Sequence, residues 1–172
     1  MSSSRWPPWE VESSRQVLVQ LRDHIVRGMK SDQNEPKLTS ETLGWLARLL
    51  VVRSCGHLEQ VAKECTKAYV EQRSGGPVQS FALSWMERSR NPSQENLVSL
   101  LERFDQKWAS DFVALLVADD ELLHRDLAWA VDTRNRIAHG ENQGASVEKA
   151  LATCASLLSI ADWWISSVDP TR

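Results

Sequence analysis

The chain has 172 residues, 42% hydrophobic and 25% charged, which suits one domain with a sizeable core, and no apolar run approaches the roughly 18 residues that a membrane span requires. With 20 Lys and Arg against 23 Asp and Glu, the net charge is -3, which excludes a protein that coats nucleic acid through a broadly basic surface; any contact with RNA or DNA must be local. Three cysteines, Cys55, Cys65 and Cys154, make no disulfide framework, and residues 1 to 9 lack the apolar core of a secretory signal, so a reducing cytoplasm is the expected location.

Residues 1 to 13 read as a Trp- and Pro-bearing tail, because the Trp6-Pro7-Pro8-Trp9 unit removes backbone donors and fixes φ. Its indoles are expected to lie across the protein's own helices. Residues 14 to 172 read as a single all-helical domain. Between 14 and 29, Val17, Leu18, Leu21, Ile25 and Val26 recur at helical spacing, with Arg15, Arg22, Asp23 and Arg27 opposite. A polar loop over 30 to 37 follows. Thr39 or Ser40 then caps a long helix over about 41 to 72, whose stripe of Leu43, Leu46, Leu50, Val51, Leu58, Val61, Ala62, Cys65 and Tyr69 makes it the expected central scaffold.

Ser74-Gly75-Gly76-Pro77 ends that helix, and 78 to 89 predicts a short helix or an ordered crossover. Asn91 as cap, Pro92 at the first helical position and Gln94 at capping-box spacing predict another long helix running to about 117. Asp119 or Asp120 is the expected cap of the next run, which carries Leu122, Leu123, Leu127, Trp129, Ala130 and Ile137 and closes at Gly140. After a short turn over 141 to 145, Ser146 caps a final helix reaching about 168. There is no strand-like alternation and no internal repeat, so the expected fold is an all-α, antiparallel bundle of about five helices. Eight tryptophans, against one tyrosine and three phenylalanines, are expected mainly to fill the core rather than anchor an interface.

The chemistry concentrates in residues 131 to 140, Val-Asp-Thr-Arg-Asn-Arg-Ile-Ala-His-Gly. At about 100° per residue, Asn135 and His139 share a face at i and i+4, so their side chains can meet. The long guanidinium of Arg134 can wrap back towards the imidazole. A cation, an amide and a titratable ring in one small volume are the equipment of a phosphate site with a proton-transfer group. The central helix carries Arg53 and Glu59, either of which can supply a second polar group if it packs beside this segment. His24, His57, His124 and the cysteines lack paired metal-ligand spacing, and the chain has no glycine-rich phosphate loop, nucleophile elbow or zinc-protease motif.

At Arg134-Asn135-Arg136-Ile137-Ala138-His139 the sequence resembles the HEPN superfamily, whose signature is an arginine, four to six residues and a histidine, very often with asparagine directly after the arginine. It looks like the RiboL-PSP-HEPN-like branch, whose long helix carries an arginine and a Leu-Glu pair, here Arg53 and Leu58-Glu59, ahead of the terminal motif. The resemblance covers about residues 40 to 168. It implies a metal-independent endoribonuclease that needs no cofactor, with two motif copies facing each other across a homodimer. Many such proteins are toxins or antiviral-defence effectors. By carry-over, His139 is general base or acid, Arg134 clamps the phosphate and Asn135 orients phosphate or ribose. Arg136 and Arg53 become candidate RNA-phosphate contacts and Glu59 a supporting acid. The implied partners are RNA, a second copy and an antitoxin or regulatory protein. The alternative is a non-catalytic HEPN module that dimerises and binds RNA or a partner such as a nucleotidyltransferase antitoxin.

Overall fold

The computed structural model describes residues 5 to 30, 37 to 86, 91 to 141 and 144 to 171. Among the described residues the chain is entirely helical: α1 (Trp9–Met29), α2 (Ser40–Arg73), α3 (Gly76–Ser84), α4 (Gln94–Glu102), α5 (Gln106–Ala138) and α6 (Val147–Ser167). The expected loop over 30 to 37 falls largely outside the described residues, as do residues 142 and 143 of the turn over 141 to 145 and the end of the 78 to 89 segment. None of the described helices is long and apolar enough to cross a membrane.

The amphipathic stripes place the core. α2 lies against α1, α3, α5 and α6, burying Leu50, Val51, Cys55, Leu58, Val61 and Cys65 along its length, which makes it the central helix its stripe predicts. Trp164 of α6 is fully buried and meets Phe112 of α5 edge-on, with ring centroids 5.8 Å apart. A buried carboxylate ties α5 to α6: Asp126 accepts from Lys149 Nζ and from Ser156 Oγ, both at 2.5 Å. Such a charge is tolerated in the interior because a cation and a hydroxyl both satisfy it. Of the tryptophans, Trp6, Trp108, Trp129 and Trp163 pack partly buried on this core, whereas Trp9, Trp45 and Trp85 are exposed.

Four expectations change. α1 begins at Trp9, inside the segment read as a tail, because Pro8 can precede a helix and its carbonyl accepts from Val11 and Glu12. The long helix expected over 92 to 117 is two. Its apolar spacing is continuous from Leu97 through Trp108, but the amides of Arg103 and Phe104 turn back to Leu100 and Leu101, and Asp105 caps a new helix by accepting from the amide of Lys107 at 2.6 Å. Ser93, not Asn91, caps α4, accepting from the amide of Asn96. Asp119 and Asp120 do not cap a fresh helix in extended conformation: with Glu121 they take left-handed backbone, φ 50°, 55° and 60°, and form a kink within α5. Asp tolerates this region better than most non-glycine residues. Thr39 and Ser146 cap α2 and α6 as expected.

Candidate active site

The end of α5 is built by a glycine. Gly140 has φ +78°, its amide donates to Ile137 O, and the amide of Glu141 reaches Arg136 O, each at 3.0 Å. This pair of bonds satisfies the last carbonyls of the helix and demands a residue without a Cβ penalty in the left-handed region. His139 is therefore the last residue before the chain leaves the helix, and its exposed ring is presented at the helix terminus.

Arg134 lies on the inward side of the same turn. Its Nη2 donates to Glu59 Oε1 of α2 at 3.1 Å, and its Nη1 donates to Asn135 Oδ1 at 3.2 Å. The guanidinium therefore turns towards α2 instead of wrapping back to the imidazole. Asn135 Oδ1 also accepts from Asn91 Nδ2 at 3.3 Å, and Asn91 is held in turn by Asn96, whose Nδ2 donates to the Asn91 carbonyl at 2.9 Å. A chain of polar groups thus runs from α4 through the segment before it to α5 and α2. Asn135 and His139 stand one turn apart, but the bond between them is backbone, His139 N–H to Asn135 O at 3.0 Å; the amide side chain of Asn135 is committed to Arg134 and Asn91.

Of the two α2 candidates, Glu59 is the one joined to the motif. Burial pushes its carboxyl above the ordinary carboxylate range, and the Arg134 guanidinium works against that rise. The side chain of Arg134 keeps 32% of its surface in solvent, against 16% for Glu59, so the cation can still receive a ligand. Arg53 is exposed one and a half turns earlier and makes no ion pair with Arg134's partner; instead it shares with Arg134 the wall of a groove of about 420 Å³ between α1 and α2. Arg136 faces outward, paired with Glu141 at 3.0 Å and Asp132 at 3.7 Å.

Asn91 and Asn96 are the members of this network that the sequence does not announce. Asn91 beside Pro92 carries a turn signature, and nothing within four residues relates it to a helix end 44 positions later. Cys55, also close to the site, is inert: burial pushes its thiol up to about 12, although Arg134 pulls the other way. Among the described residues no group of three or more His, Cys, Asp or Glu side chains is placed to hold a metal ion.

Chemically, the arrangement offers a half-exposed guanidinium with an amide beside it, a partly buried carboxylate orienting that guanidinium, and an imidazole at the adjoining helix end. An arginine fixed on one side by a carboxylate presents its remaining N–H groups in a set direction, which suits a phosphate oxygen. Comparison with known proteins gives one family model, RiboL-PSP-HEPN, matching residues 19–162. No curated protein and no solved structure matches. The match spans most of the chain and includes every residue from Arg53 to His139 discussed above, so the chain belongs to the RiboL-PSP-HEPN family.

Proposed function

We propose that the protein is a metal-independent endoribonuclease acting as a homodimer, in the manner of a toxin or antiviral-defence effector in the cytoplasm. The observation that carries the reading is the Arg134–Glu59 pair: the motif arginine is aimed by a partly buried carboxylate and stays partly open to solvent, about one and a half turns from the motif histidine. In-line attack of the ribose 2′-hydroxyl on the adjacent phosphorus forms the new O–P bond and breaks the bond to the 5′-oxygen. The products are a 2′,3′-cyclic phosphate and a 5′-hydroxyl end. The attacking oxygen must lose a proton, the leaving oxygen must gain one, and the phosphorane needs positive charge.

Arg134 supplies that charge and Asn135 orients it. His139 transfers one proton, and a second copy of the motif supplies the other transfer. An exposed face of α2 supports the second copy. Trp45, Leu49, Val52 and Gly56 recur at helical spacing on the side that carries Glu59, and Trp45 and Leu49 are 62% and 46% exposed. Two copies meeting there would bring their Arg134 sites close together. The net charge of -3 fits an enzyme whose RNA contact is confined to this site, or one held in check by a protein partner.

The test is cleavage of a mixed RNA substrate in EDTA by wild type and His139→Ala, with fragment ends and native mass read together. Expected are cyclic-phosphate ends from dimeric wild type, none from a dimeric variant, and no cutting of DNA. Cleavage that required a divalent metal, or that DNA shared, is the outcome against it. If neither protein cuts but both bind RNA, the motif is a phosphate clamp in a non-catalytic module.

A further inference from the structure

On the other side of Glu59 from the groove lies a second cavity, of about 350 Å³, enclosed by α2, α3 and α4. We propose that it is a nucleobase subsite that takes a purine, guanine in preference, from the RNA strand whose phosphate sits at Arg134. The proposal rests on the ribonuclease reading above and adds what selects the cleavage position.

Three features argue for a base. Glu59 lines the cavity and bonds Arg134, so an occupant here is held within one side chain of the phosphate site. The walls are mostly apolar, with Phe81, Trp85 and Phe104 as aromatic members and Glu59, Asn91 and Asn96 among the polar ones. Phe81 and Trp85 of the α3 segment are 67% and 54% exposed, meet edge-on with centroids 6.0 Å apart, and carry the Arg103 guanidinium 5.0 Å above the Trp85 ring. α3 buries none of its residues, so these rings are available to stack on an incoming base, and splayed-out RNA bases are held in this way on aromatic and guanidinium planes. The cavity falls within the range of sites that enclose small ring systems.

The third feature is the balance of donors and acceptors. Asn91 also lines the cavity; its Oδ1 is shielded from solvent and accepts no hydrogen bond among the described residues, an uncommon state for a buried carbonyl oxygen. A carboxylate has about four lone-pair sites, so the bond from Arg134 leaves Glu59 able to accept more. Guanine presents two adjacent donors, N1–H and the 2-amino group, which a carboxylate on the cavity wall can accept side by side. Adenine offers one amino group beside an acceptor nitrogen, and uracil one imino N–H between two carbonyls.

The experiment sequences the fragment ends of a random RNA pool cut by wild type and by Trp85→Ala. Alongside, calorimetry on both proteins measures binding of guanosine 3′-monophosphate and uridine 3′-monophosphate, and native mass is recorded. Expected are a guanine preference beside the cut in wild type, flattened in Trp85→Ala, and guanosine nucleotide binding about tenfold weaker in the variant, the scale of one lost base stack. Trp85 is exposed, so its removal leaves the core intact. Cleavage without base preference, or with a preference the variant keeps, overturns the subsite and leaves the ribonuclease reading standing. If wild type cuts nothing, that reading fails and calorimetry decides the subsite: equal binding by the two proteins, or none by wild type, overturns it. A change from dimer to monomer in Trp85→Ala also overturns it, by making this face a contact between copies.

Discussion

Arg134 Nη2 stands 3.1 Å from Glu59 Oε1, joining the last turns of α5 to the middle of α2 across 75 positions of sequence. Because the pair is half-buried, it acts mainly as an aiming device: the carboxylate fixes which guanidinium edge faces solvent. Glu59→Gln keeps the shape and removes the charge. RNA cleavage is expected to fall at least tenfold, on the order of 1.4 kcal/mol of transition-state stabilisation, while the thermal midpoint moves little. Arg134→Lys should be nearly as inactive as Arg134→Ala, since an ammonium cannot bond Glu59, Asn135 and a phosphate in one plane. Steady-state rates and calorimetric melts on the three variants check this; full activity in Arg134→Lys is the contrary result.

Gly140 sets where His139 points. A Cβ at φ +78° is strained whatever space surrounds it, and here nothing lies within 4 Å. Gly140→Ala is expected to cost about 1 kcal/mol of stability and to lower cleavage more than that loss explains, because the last turn rewinds and carries the imidazole with it. Denaturant midpoints beside cleavage rates at a temperature where both proteins are folded separate the two effects.

The Trp45 and Leu49 face predicts the oligomeric state. Trp45→Glu with Leu49→Glu should yield a folded monomer with unchanged helicity and no cleavage, because both side chains are already in solvent and contribute little to the core. Analytical ultracentrifugation with circular dichroism reads both properties. A variant that stays dimeric moves the interface elsewhere.

His57 makes stability depend on pH. It is buried beneath α1, with Nδ1 3.1 Å from Ser14 Oγ. Burial, helped by the Arg15 guanidinium and opposed by Asp162, lowers its pKa to about 4. The unfolded imidazole protonates near its ordinary value of about 6.5, so between these values the unfolded chain binds a proton the native state refuses. The stability linked to His57 is therefore complete above about pH 6.5 and declines as pH falls towards 4, by on the order of 3 kcal/mol. Urea midpoints at pH 7 and pH 4.5, compared between wild type and His57→Leu, test this: the drop should be smaller in the variant, and equal drops refute it.

The three cysteines report on unfolding. Burial pushes Cys55 and Cys65 up to about 12 and raises Cys154 as well, so native protein should consume almost no thiol reagent at neutral pH. All three should react promptly in denaturant. Fast native labelling of any one of them would place it outside the core.

Features that depend on neighbours within a few residues are legible along the chain. Apolar spacing placed α1, α2, the later part of α5 and α6; Thr39, Ser146 and Gly140 marked ends because a side-chain oxygen or a left-handed residue acts on amides three to five positions away. The Arg134-Asn135-His139 motif was legible for the same reason. That Glu59 bonds Arg134 while Arg53 lines the neighbouring groove with it came from the tertiary structure alone, since both sit on α2 and which one meets α5 depends on how the two helices are rotated against each other. It alone brought Asn91 to Asn135, and it alone turned Arg134 inward and left His139 at the surface. The break at 103 to 105 stayed hidden because two helices whose apolar residues continue in phase bury the same stripe as one; the turn between them shows only in backbone bonds that redirect the chain.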